Sequence, residues 1–390
     1  AVSVEGRYKT DNGTVIVYST NKGMDMPTEM LYDIKTGPLP DMIKFVKNNG
    51  DCKYLLTANE AEGHLHFNMT GRNEVMFVNP EPSITALYWA NGSVSMMPEE
   101  AMVSFKSLVE GNEEMLLMKG INWQFNPAVD ADDMVYPMSE RTLLKDLEPE
   151  YIALNHDNTR AFVCLQEANA MLILDITAFP PVPLSIEPLF VRDYWNDMVK
   201  MDVADKGHKI DMRVWPVIGK GMPDTIASFS MGADSYIAVA NEGDVKEYTN
   251  GKLEDWLKMT MGMEMGKEEY EKKYLYEGDI RGEDLKMMDL EGMVHSDMEE
   301  LMEWLGDEEE LGRLKFDKGG CLNHTSGKHT MLCAQSSRSF SIFKVTPTDK
   351  LELVYDSGSM LEDLVAEHYP EIFNSDGPNV EDGLGRQVYY

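Results

Sequence analysis

Two kinds of carboxylate recur at fixed places in a repeated sequence pattern. One follows a proline that opens an apolar run, and the other follows an amide side chain that ends the next apolar run. The first set is Asp41, Glu150 and Asp224, the second set is Glu60, Glu167 and Glu242, and Asp244 lies two residues after the last of these. Carboxylates that converge from several repeats repel each other unless protons, basic groups or a cation neutralise them. Calcium bound by oxygen ligands meets this requirement most simply.

The same residues also have a purely structural explanation. Asp and Asn in the turns between strands commonly bond to backbone amides and so stabilise the turn. From the residues alone, calcium binding and turn capping are comparable alternatives. The sequence does not show which of the two sets faces a shared axis.

The repeated pattern predicts short β-strands. Four apolar, β-rich runs end in a small residue, an amide and usually a carboxylate, at 54–60, 161–167, 236–242 and 330–336. A second apolar run follows several of them, as at 170–176 and 339–345, which is typical of hairpins. One small sheet cannot bury both of its faces, whereas a ring of sheets can. The sequence therefore predicts an all-β fold, a single β-propeller domain over residues 1–390.

Two segments interrupt the β pattern. Residues 251–315 are rich in Glu, Lys and Met and contain apolar residues at helical spacing. Residues 359–373 begin with Ser359 and Glu362, which form a capping-box pattern, and reach a proline near their end. We predict helical insertions in both segments, as additions to the propeller rather than separate domains.

Cysteines and glycosylation sequons favour an extracellular protein. The four cysteines can pair in three ways. Cys321 and Cys333 bracket a polar, glycine-containing turn between apolar runs, so we expect a cross-strand disulfide there. For Cys52 and Cys164, buried free thiols are at least as consistent. Four Asn-x-Ser/Thr sequons favour secretion of a glycoprotein, at Asn12, Asn68, Asn91 and Asn323.

The chain is strongly acidic, with 68 acidic and 35 basic side chains, a formal net charge of −33 and a pI near 4.5. This charge repels nucleic acid and anionic membranes, so we expect neither as a partner. It attracts calcium ions, calcium mineral or basic extracellular proteins, although acidity also keeps secreted proteins soluble. No apolar stretch reaches the length of a membrane span and no leader opens the chain, so we expect a mature protein without such a span.

Other metal and enzyme signatures are weak. Alternating methionines could offer thioethers to copper, and two histidines on one strand face could hold zinc. These residues are Met259, Met261, Met263, Met265, His64 and His66. We expect neither metal, because methionine also fills irregular cores and no third zinc ligand is evident. The sequence contains no phosphate-binding loop, nucleophile elbow or His-Glu-x-x-His motif.

Several colinear motifs resemble the choice-of-anchor I proteins, which include mesenchyme-specific cell-surface glycoproteins of echinoderm and mollusc skeletons. The similar stretches are DLEPEYIAL at 146–154, AFVCLQEANA at 161–170, 39–42 with 55–60, 215–217 with 223–224 and 240–244, and 338–342 with 354–358. The resemblance implies a propeller of about seven blades, secretion or cell-surface display, glycosylation and a role in depositing calcium mineral. The family's acidic stretch near 201–211 is sparser here, with only Asp202, Asp205 and Asp211.

Our leading hypothesis is a secreted acidic glycoprotein of an extracellular or biomineral matrix that binds calcium ions or mineral surfaces. The enzymatic alternative is a metal-dependent phosphoesterase of the propeller type. A third hypothesis is an extracellular protein-binding scaffold whose acidic rim selects basic partners. We expect a binding protein rather than an enzyme.

Overall fold

A computed structural model describes residues 1–19, 29–48, 51–67, 75–93, 96–125, 135–207, 209–248, 253, 257–258, 266, 270, 273–291, 295–323 and 326–374. Short strands dominate this part of the chain, in many small and mostly antiparallel sheets. The first strands are β1 (Val2–Val4), β2 (Asn12–Ser19), β3 (Glu29–Pro38), β4 (Pro40–Asn48), β5 (Asp51–Asn59), β6 (His64–Phe67), β7 (Val75–Val78), β8 (Ser83–Tyr88), β9 (Glu99–Val103), β10 (Pro149–Leu154), β11 (Arg160–Leu165), β12 (Ala170–Asp175) and β13 (Val182–Pro188).

The remaining strands are β14 (Val191–Asp193), β15 (Ile218–Lys220), β16 (Pro223–Met231), β17 (Asp234–Asn241), β18 (Glu247–Tyr248), β19 (Tyr276–Glu277), β20 (Asp279–Arg281), β21 (Lys315–Asp317), β22 (Leu322–Asn323), β23 (Lys328–His329), β24 (Cys333–Ala334), β25 (Ser339–Val345) and β26 (Leu351–Asp356). The α-helices whose bounds fall within the described residues are α1 (Lys106–Val109), α2 (Glu113–Met118), α3 (Met298–Gly306) and α4 (Met360–His368). Short 3-10 helices lie at Met138–Glu140, Gly282–Asp284, Met287–Asp289, Leu311–Arg313 and Pro370–Ile372. No described helix has the length and apolar character needed to cross a membrane.

Three sheets share one architecture of four antiparallel strands. Their strand orders are β4-β5-β8-β9, β10-β11-β12-β13 and β16-β17-β25-β26. The first strands of the three sheets are neighbours, because β10 contacts both β4 and β16. A fourth sheet has the order β14-β15-β24-β21-β20 and contains a parallel pair, β15 with β24. The chain thus repeats one sheet design and brings the three opening strands together.

The middle sheet is buried on both faces, and this explains its continuous apolar sequence. Val163 on β11 belongs to a core shared with the first sheet, where it joins Leu56 and Ala86. The next residue back along the strand, Phe162, belongs to the core shared with the third sheet, which includes Ile237. Alternate side chains of one strand therefore serve two interfaces, as the two-residue period of a strand requires. Adjacent sheets pack face to face.

The first strand of each of the three sheets begins with the same backbone conformation. A residue with positive φ precedes the first proline, and the register shifts within the next three residues. The left-handed residues are Leu39 (φ 45°), Glu148 (φ 34°) and Met222 (φ 47°). The register shift is a β-bulge, which turns side chains away from the regular ladder. The bulge carries Asp41, Glu150 and Asp224, the first set of repeated carboxylates.

The repeated amide ties two strands together in the first and third sheets. In each case the buried Asn side chain donates two hydrogen bonds to hydroxyl groups two residues apart on the next strand. The bonds run from Asn59 Nδ2 to Ser83 Oγ (3.1 Å) and Thr85 Oγ1 (2.9 Å), and from Asn241 Nδ2 to Ser339 Oγ (2.9 Å) and Ser341 Oγ (2.7 Å). The recurring amide therefore has a structural role in these two sheets.

The structure corrects the predicted organisation of residues 251–315. Helix α3 lies there, capped by Asp297, but the segment also supplies β19, β20 and the first residue of β21. The Glu, Lys and Met content suggested helix, whereas Ile280 lies on β20 within the fourth sheet; most of residues 251–272 lie outside the described residues. The second predicted helix is confirmed in part, because α4 lies within 359–373.

The fourth copy of the repeat also differs from the predicted hairpin. Its strand β24 is only two residues long, and the apolar run at 339–345 pairs with β17 of the third sheet instead. The two runs are close in sequence, but tertiary pairing assigns them to different sheets.

The predicted disulfide is present, and the other two cysteines are free thiols. Cys321 and Cys333 are bonded, with their Cα atoms 6.1 Å apart. Cys52 is half-buried and Cys164 is buried. Among the sequons, Asn12 and Asn91 are exposed and Asn323 is half-buried, while Asn68 lies outside the described residues. Glycosylation stays a prediction.

The amide tie generates a stability prediction. Replacing Asn59 with Ala removes two buried hydrogen bonds and leaves two hydroxyl acceptors without their donor. We expect a loss of about 1–3 kcal/mol in the free energy of unfolding, measured by denaturant titration. The exposed Asn91→Ala variant is the control, with an expected change within about 0.5 kcal/mol. Equal stability of the two variants would show that the tie contributes nothing.

Candidate functional site

Six carboxyl groups from several sheets lie close enough to perturb one another electrostatically. We call them the carboxylate cluster: Glu60, Glu62, Glu148, Glu150, Glu167 and Asp244. They occupy the loops at one end of the repeated units, after β5, before β10, in the bulge of β10, after β11 and after β17. The backbone N–H of Glu60 donates to the carbonyl of Leu39 (3.0 Å), which fixes the loop after β5 beside the start of β4.

Burial and mutual repulsion raise the pKa of several cluster members. Burial, with the charges of Glu167 and Glu62, raises the pKa of Glu60 to about 8. Burial raises the pKa of Glu150 well above its ordinary value, and neighbouring carboxylates raise it further. At the exposed rim, partial burial and Glu167 raise the pKa of Asp244 to about 6. Glu60 therefore retains a proton near neutral pH.

One buried lysine supplies most of the compensating positive charge. Lys246 forms an ion pair with Glu148, and its Nζ lies 3.9 Å from Glu167 Oε1. Burial by itself lowers the pKa of Lys246, but Glu148 and Glu167 outweigh it and the net pKa is raised. The backbone N–H of Lys246 donates to Gln124 Oε1 (2.6 Å), which fixes this segment. At the edge of the cluster, Lys9 forms an ion pair with Glu62.

A network around Asp146 holds the segment that presents Glu148. Asp146 is buried and accepts hydrogen bonds from Trp123 Nε1 (2.7 Å), Asn79 Nδ2 (3.0 Å) and Tyr248 Oη (3.0 Å). These donors come from three separate parts of the chain. They tie the approach to β10 to the rest of the fold, so Glu148 enters the cluster from a fixed backbone.

Two cluster oxygens are buried without a hydrogen-bond partner in the described part of the chain, Glu148 Oε1 and Glu167 Oε2. An unpaired buried carboxylate oxygen is energetically costly, so such atoms indicate a place where a further positive group would be favourable. Carboxylate oxygens are also the ligands that calcium prefers. The donor chemistry fits calcium. The side chains are not close enough together to form a complete ligand set, because no three His, Cys, Asp or Glu side chains among the described residues could hold a metal as placed.

The structure divides the predicted ligands differently from the two repeat positions. Glu60, Glu150, Glu167 and Asp244 belong to the carboxylate cluster. Asp41, Asp224 and Glu242 lie beside it: burial and then Asp224 raise the pKa of Asp41 and Glu242, and these two in turn contribute to the raised pKa of Glu60 and Asp244. The repeat fixes each backbone position, but the neighbours of a side chain depend on which sheets are adjacent.

Sequence reasoning missed Glu62, Glu148 and Lys246. Glu148 is part of the recognised DLEPE run and Lys246 lies two residues after Asp244, so proximity to the repeated motif was the available signal. In the acidic stretch at 201–211, Asp202 stabilises the local backbone. Its carboxylate accepts hydrogen bonds from the backbone N–H groups of Ala204 (3.2 Å) and Asp211 (2.9 Å).

Of the two alternative metal sites, only the histidine pair lies within the described residues. The rings of His64 and His66 lie 5.5 Å apart, and His66 Nε2 is 2.7 Å from Thr10 Oγ1. The methionines at 259, 261, 263 and 265 lie outside the described residues.

The model of the choice-of-anchor I domain matches residues 1–384. The chain belongs to the choice-of-anchor I family. The resemblance predicted from the DLEPEYIAL run and its companions is thereby confirmed at the level of the family. Such a domain, together with the disulfide, is consistent with an extracellular or surface protein.

Other comparisons add little to the family assignment. No curated protein matches the sequence. Among solved structures, the periplasmic gluconolactonase of Pseudomonas aeruginosa is 9% identical, with 92% of this chain and 95% of that chain covered. Its TM-score of 0.17 does not establish a shared fold.

The buried ion pair of this choice-of-anchor I domain generates a second prediction. Lys246→Met leaves Glu148 and Glu167 without their cation, so we expect a loss of about 3–5 kcal/mol in unfolding free energy near pH 8. The double variant Lys246→Met, Glu148→Gln should recover part of this loss. Lys344→Met, which breaks the exposed pair with Asp234, should lower the unfolding free energy far less than Lys246→Met does. Equal losses for the two lysine variants, from denaturant titrations, would refute the central role of Lys246.

The raised pKa of Glu60 generates a third prediction, on pH. The folded-state pKa of about 8 exceeds the ordinary 4.5, so the folded protein binds the proton more tightly than the unfolded chain does. Glu60 therefore lowers stability progressively as pH rises from about 4.5 to about 8. Glu60→Gln should raise the unfolding free energy at pH 9 by on the order of a few kcal/mol and change it little at pH 4.5. A pH-independent effect, or one no larger than that of the exposed Glu113→Gln, would contradict the assignment.

Proposed function

We propose that this choice-of-anchor I domain is an extracellular calcium-binding module whose carboxylate cluster takes up calcium ions. The single observation that supports it most is the concentration of six mutually repelling carboxyl groups around one buried lysine. Each raised pKa reflects unfavourable charge that a divalent cation would relieve. Calcium accepts six to eight oxygen ligands in flexible geometry and retains waters, so modest side-chain movement would suffice.

The proposal includes a ring-shaped fold. The adjacency of β4, β10 and β16 supports a β-propeller in which these three strands line a common axis, and the number of about seven blades is what the family resemblance implies. In such a ring the loops that follow the inner strands meet at one mouth. The carboxylate cluster would then occupy that mouth, with Asp41, Asp224 and Glu242 beside it.

The biological setting follows from charge and compartment. We propose a secreted or surface-displayed glycoprotein, with glycans on sequons such as the exposed Asn12 and Asn91, like the mesenchyme-specific glycoproteins of mineralising tissue. A net charge of −33 concentrates calcium ions near the protein surface and favours contact with calcium mineral. The carboxylate cluster would bind calcium at one defined site, while the surface charge would attract calcium ions without a fixed position.

A calcium titration tests the proposal. Isothermal titration calorimetry should show at least one saturable site in the wild type, and its affinity should rise with pH because calcium displaces protons from Glu60 and Asp244. The Glu60→Gln, Glu150→Gln double variant should weaken this site by about tenfold or more. The matched control is Glu113→Gln, Glu114→Gln, which removes the same charge from exposed positions of α2.

One outcome would contradict calcium binding by the cluster, and another would give the bound calcium a catalytic role. Equal weakening in both double variants would assign calcium binding to diffuse surface charge instead of the cluster. Calcium-dependent hydrolysis of p-nitrophenyl phosphate that is lost on chelation would favour the phosphoesterase alternative.

A further inference from the structure

The two-stranded sheet of β6 and β7 carries two histidines and a methionine on one face. Its antiparallel register pairs His66 with Met76 and His64 with Val78. Directly opposite residues of such a pair share a face with their Cβ atoms about 5 Å apart, and diagonal residues at about 7–8 Å are within reach of a long side chain. Met76 therefore lies opposite one imidazole and diagonal to the other.

The other face of this small sheet is fixed in the core. Leu65 and Phe77 pair across the two strands, and both are buried. The ring of Phe77 packs against the rings of Tyr136 and Tyr248, whose centres are 4.9 Å and 4.8 Å away. Because side chains alternate between the two faces of a strand, this anchoring holds the histidines and the methionine on the outward face.

The two imidazoles are close enough to share one metal ion. Their ring centres lie 5.5 Å apart, with the ring planes at 86°. Metal bonds to imidazole nitrogen are about 2 Å long, so one ion can bind between two rings at this distance. On the far side, His66 Nε2 lies 2.7 Å from Thr10 Oγ1. When Nε2 carries the proton and donates it to this hydroxyl, Nδ1 of the same ring is free to bind a metal.

Both imidazoles are suited to metal binding near pH 7. Burial, with the charges of His66 and Lys9, lowers the pKa of His64 to about 4. Burial also lowers the pKa of His66, against the opposing effect of Asp11. Neutral imidazole has the free electron pair that a metal requires. Lys9 itself forms an ion pair with Glu62, so its charge is compensated beside the histidines.

The three side chains can be reached from solvent. Met76 is 57% exposed, and both histidines are half-buried. The ring centre of Tyr8 lies 4.8 Å from that of His66 and 6.3 Å from that of His64. Tyr8 therefore shields the imidazoles, while the thioether stays exposed and an incoming ion has access to it.

The ligand types favour copper(I) over other metals. Thioether sulfur is a soft ligand that selects copper(I), and imidazole also binds copper. Calcium and magnesium prefer oxygen ligands, and zinc takes thiolate, imidazole or carboxylate instead of thioether. Within the described residues no three His, Cys, Asp or Glu side chains are grouped for a metal, so zinc lacks a third ligand beside the two imidazoles.

We propose that His64, His66 and Met76 form a binding site for a copper(I) ion, with Thr10 as the residue that orients His66. The ion would bind one nitrogen of each imidazole and the thioether sulfur. The sequence alone showed no third ligand, because Met76 meets the histidines only through the pairing of β6 with β7. The site goes beyond the calcium proposal and does not depend on it, since none of its three ligand side chains offers an oxygen.

Competition with the copper(I) chelator bicinchoninate tests this site on the full chain, under anaerobic, reducing conditions and in excess calcium. We expect the wild type to take copper(I) from the chelator and His64→Gln to lose this ability. Met76→Leu should weaken copper(I) binding by about tenfold or more, because it removes the sulfur and keeps a similar volume. Thr10→Val should weaken it by about tenfold through loss of the orienting hydroxyl. Zinc affinity should change little in Met76→Leu.

Two control variants separate this site from other soft ligands of the chain. Met102→Leu removes a comparably exposed methionine from β9, and Cys52→Ser removes a half-buried thiol; both should retain wild-type copper(I) affinity. With ¹³C-labelled methionine methyl groups, the NMR signal that is missing from Met76→Leu should shift when copper(I) is added. Because Met76 is exposed, Met76→Leu without copper should unfold at the wild-type midpoint.

Several results would overturn the copper proposal. They are failure of the wild type to take copper(I) from the chelator, equal affinities in Met76→Leu and Met102→Leu, and loss of binding in Cys52→Ser. An unshifted Met76 methyl signal at saturating copper(I) would also overturn it. Each of these results leaves the calcium titration unaffected, because calcium is in excess throughout and does not bind thioether or imidazole.

Discussion

The buried ammonium group of Lys246 is the interaction on which the candidate site depends. Glu148 and Glu167 are both buried, and the interior does not accept such carboxylates unless a proton or a cation compensates them. Lys246 provides one charge for several acidic groups, and burial raises the pKa of Glu60 to about 8 and that of Glu150 well above its ordinary value. Even with Lys246 in place, the buried oxygens Glu148 Oε1 and Glu167 Oε2 have no hydrogen-bond partner among the described residues.

The architecture around this ion pair explains how one chain brings so many carboxylates together. Each repeated sheet begins with a left-handed residue, a proline and a bulge, and ends its second strand with an amide and a carboxylate. Adjacent packing of the opening strands then places loops from successive sheets side by side. Convergence arises from repetition, because the same local geometry recurs around neighbouring strands.

Repetition also allows one position to diverge in role. Asn59 and Asn241 bind strand hydroxyls and stabilise their sheets, while Gln335 stands at a strand end whose partner strand belongs to another sheet. The same repeat position therefore has hydroxyl partners in two units and lacks them in a third. The chain shares its domain with the choice-of-anchor I family. Which polar side chains are paired within that domain depends on the contacts of this particular chain.

By itself the sequence determined the β class, the repeat, the disulfide between Cys321 and Cys333, and the family, because these depend on local periodicity, turn chemistry and colinear motifs. It also identified Glu60, Glu150, Glu167 and Asp244 as candidates. Only the tertiary structure added Lys246 and Glu148, moved 339–345 to the third sheet and turned part of 251–315 into strands. Strand pairing and burial depend on residues distant in the chain, so no local pattern could have specified which charges meet or which amide is left without hydroxyls.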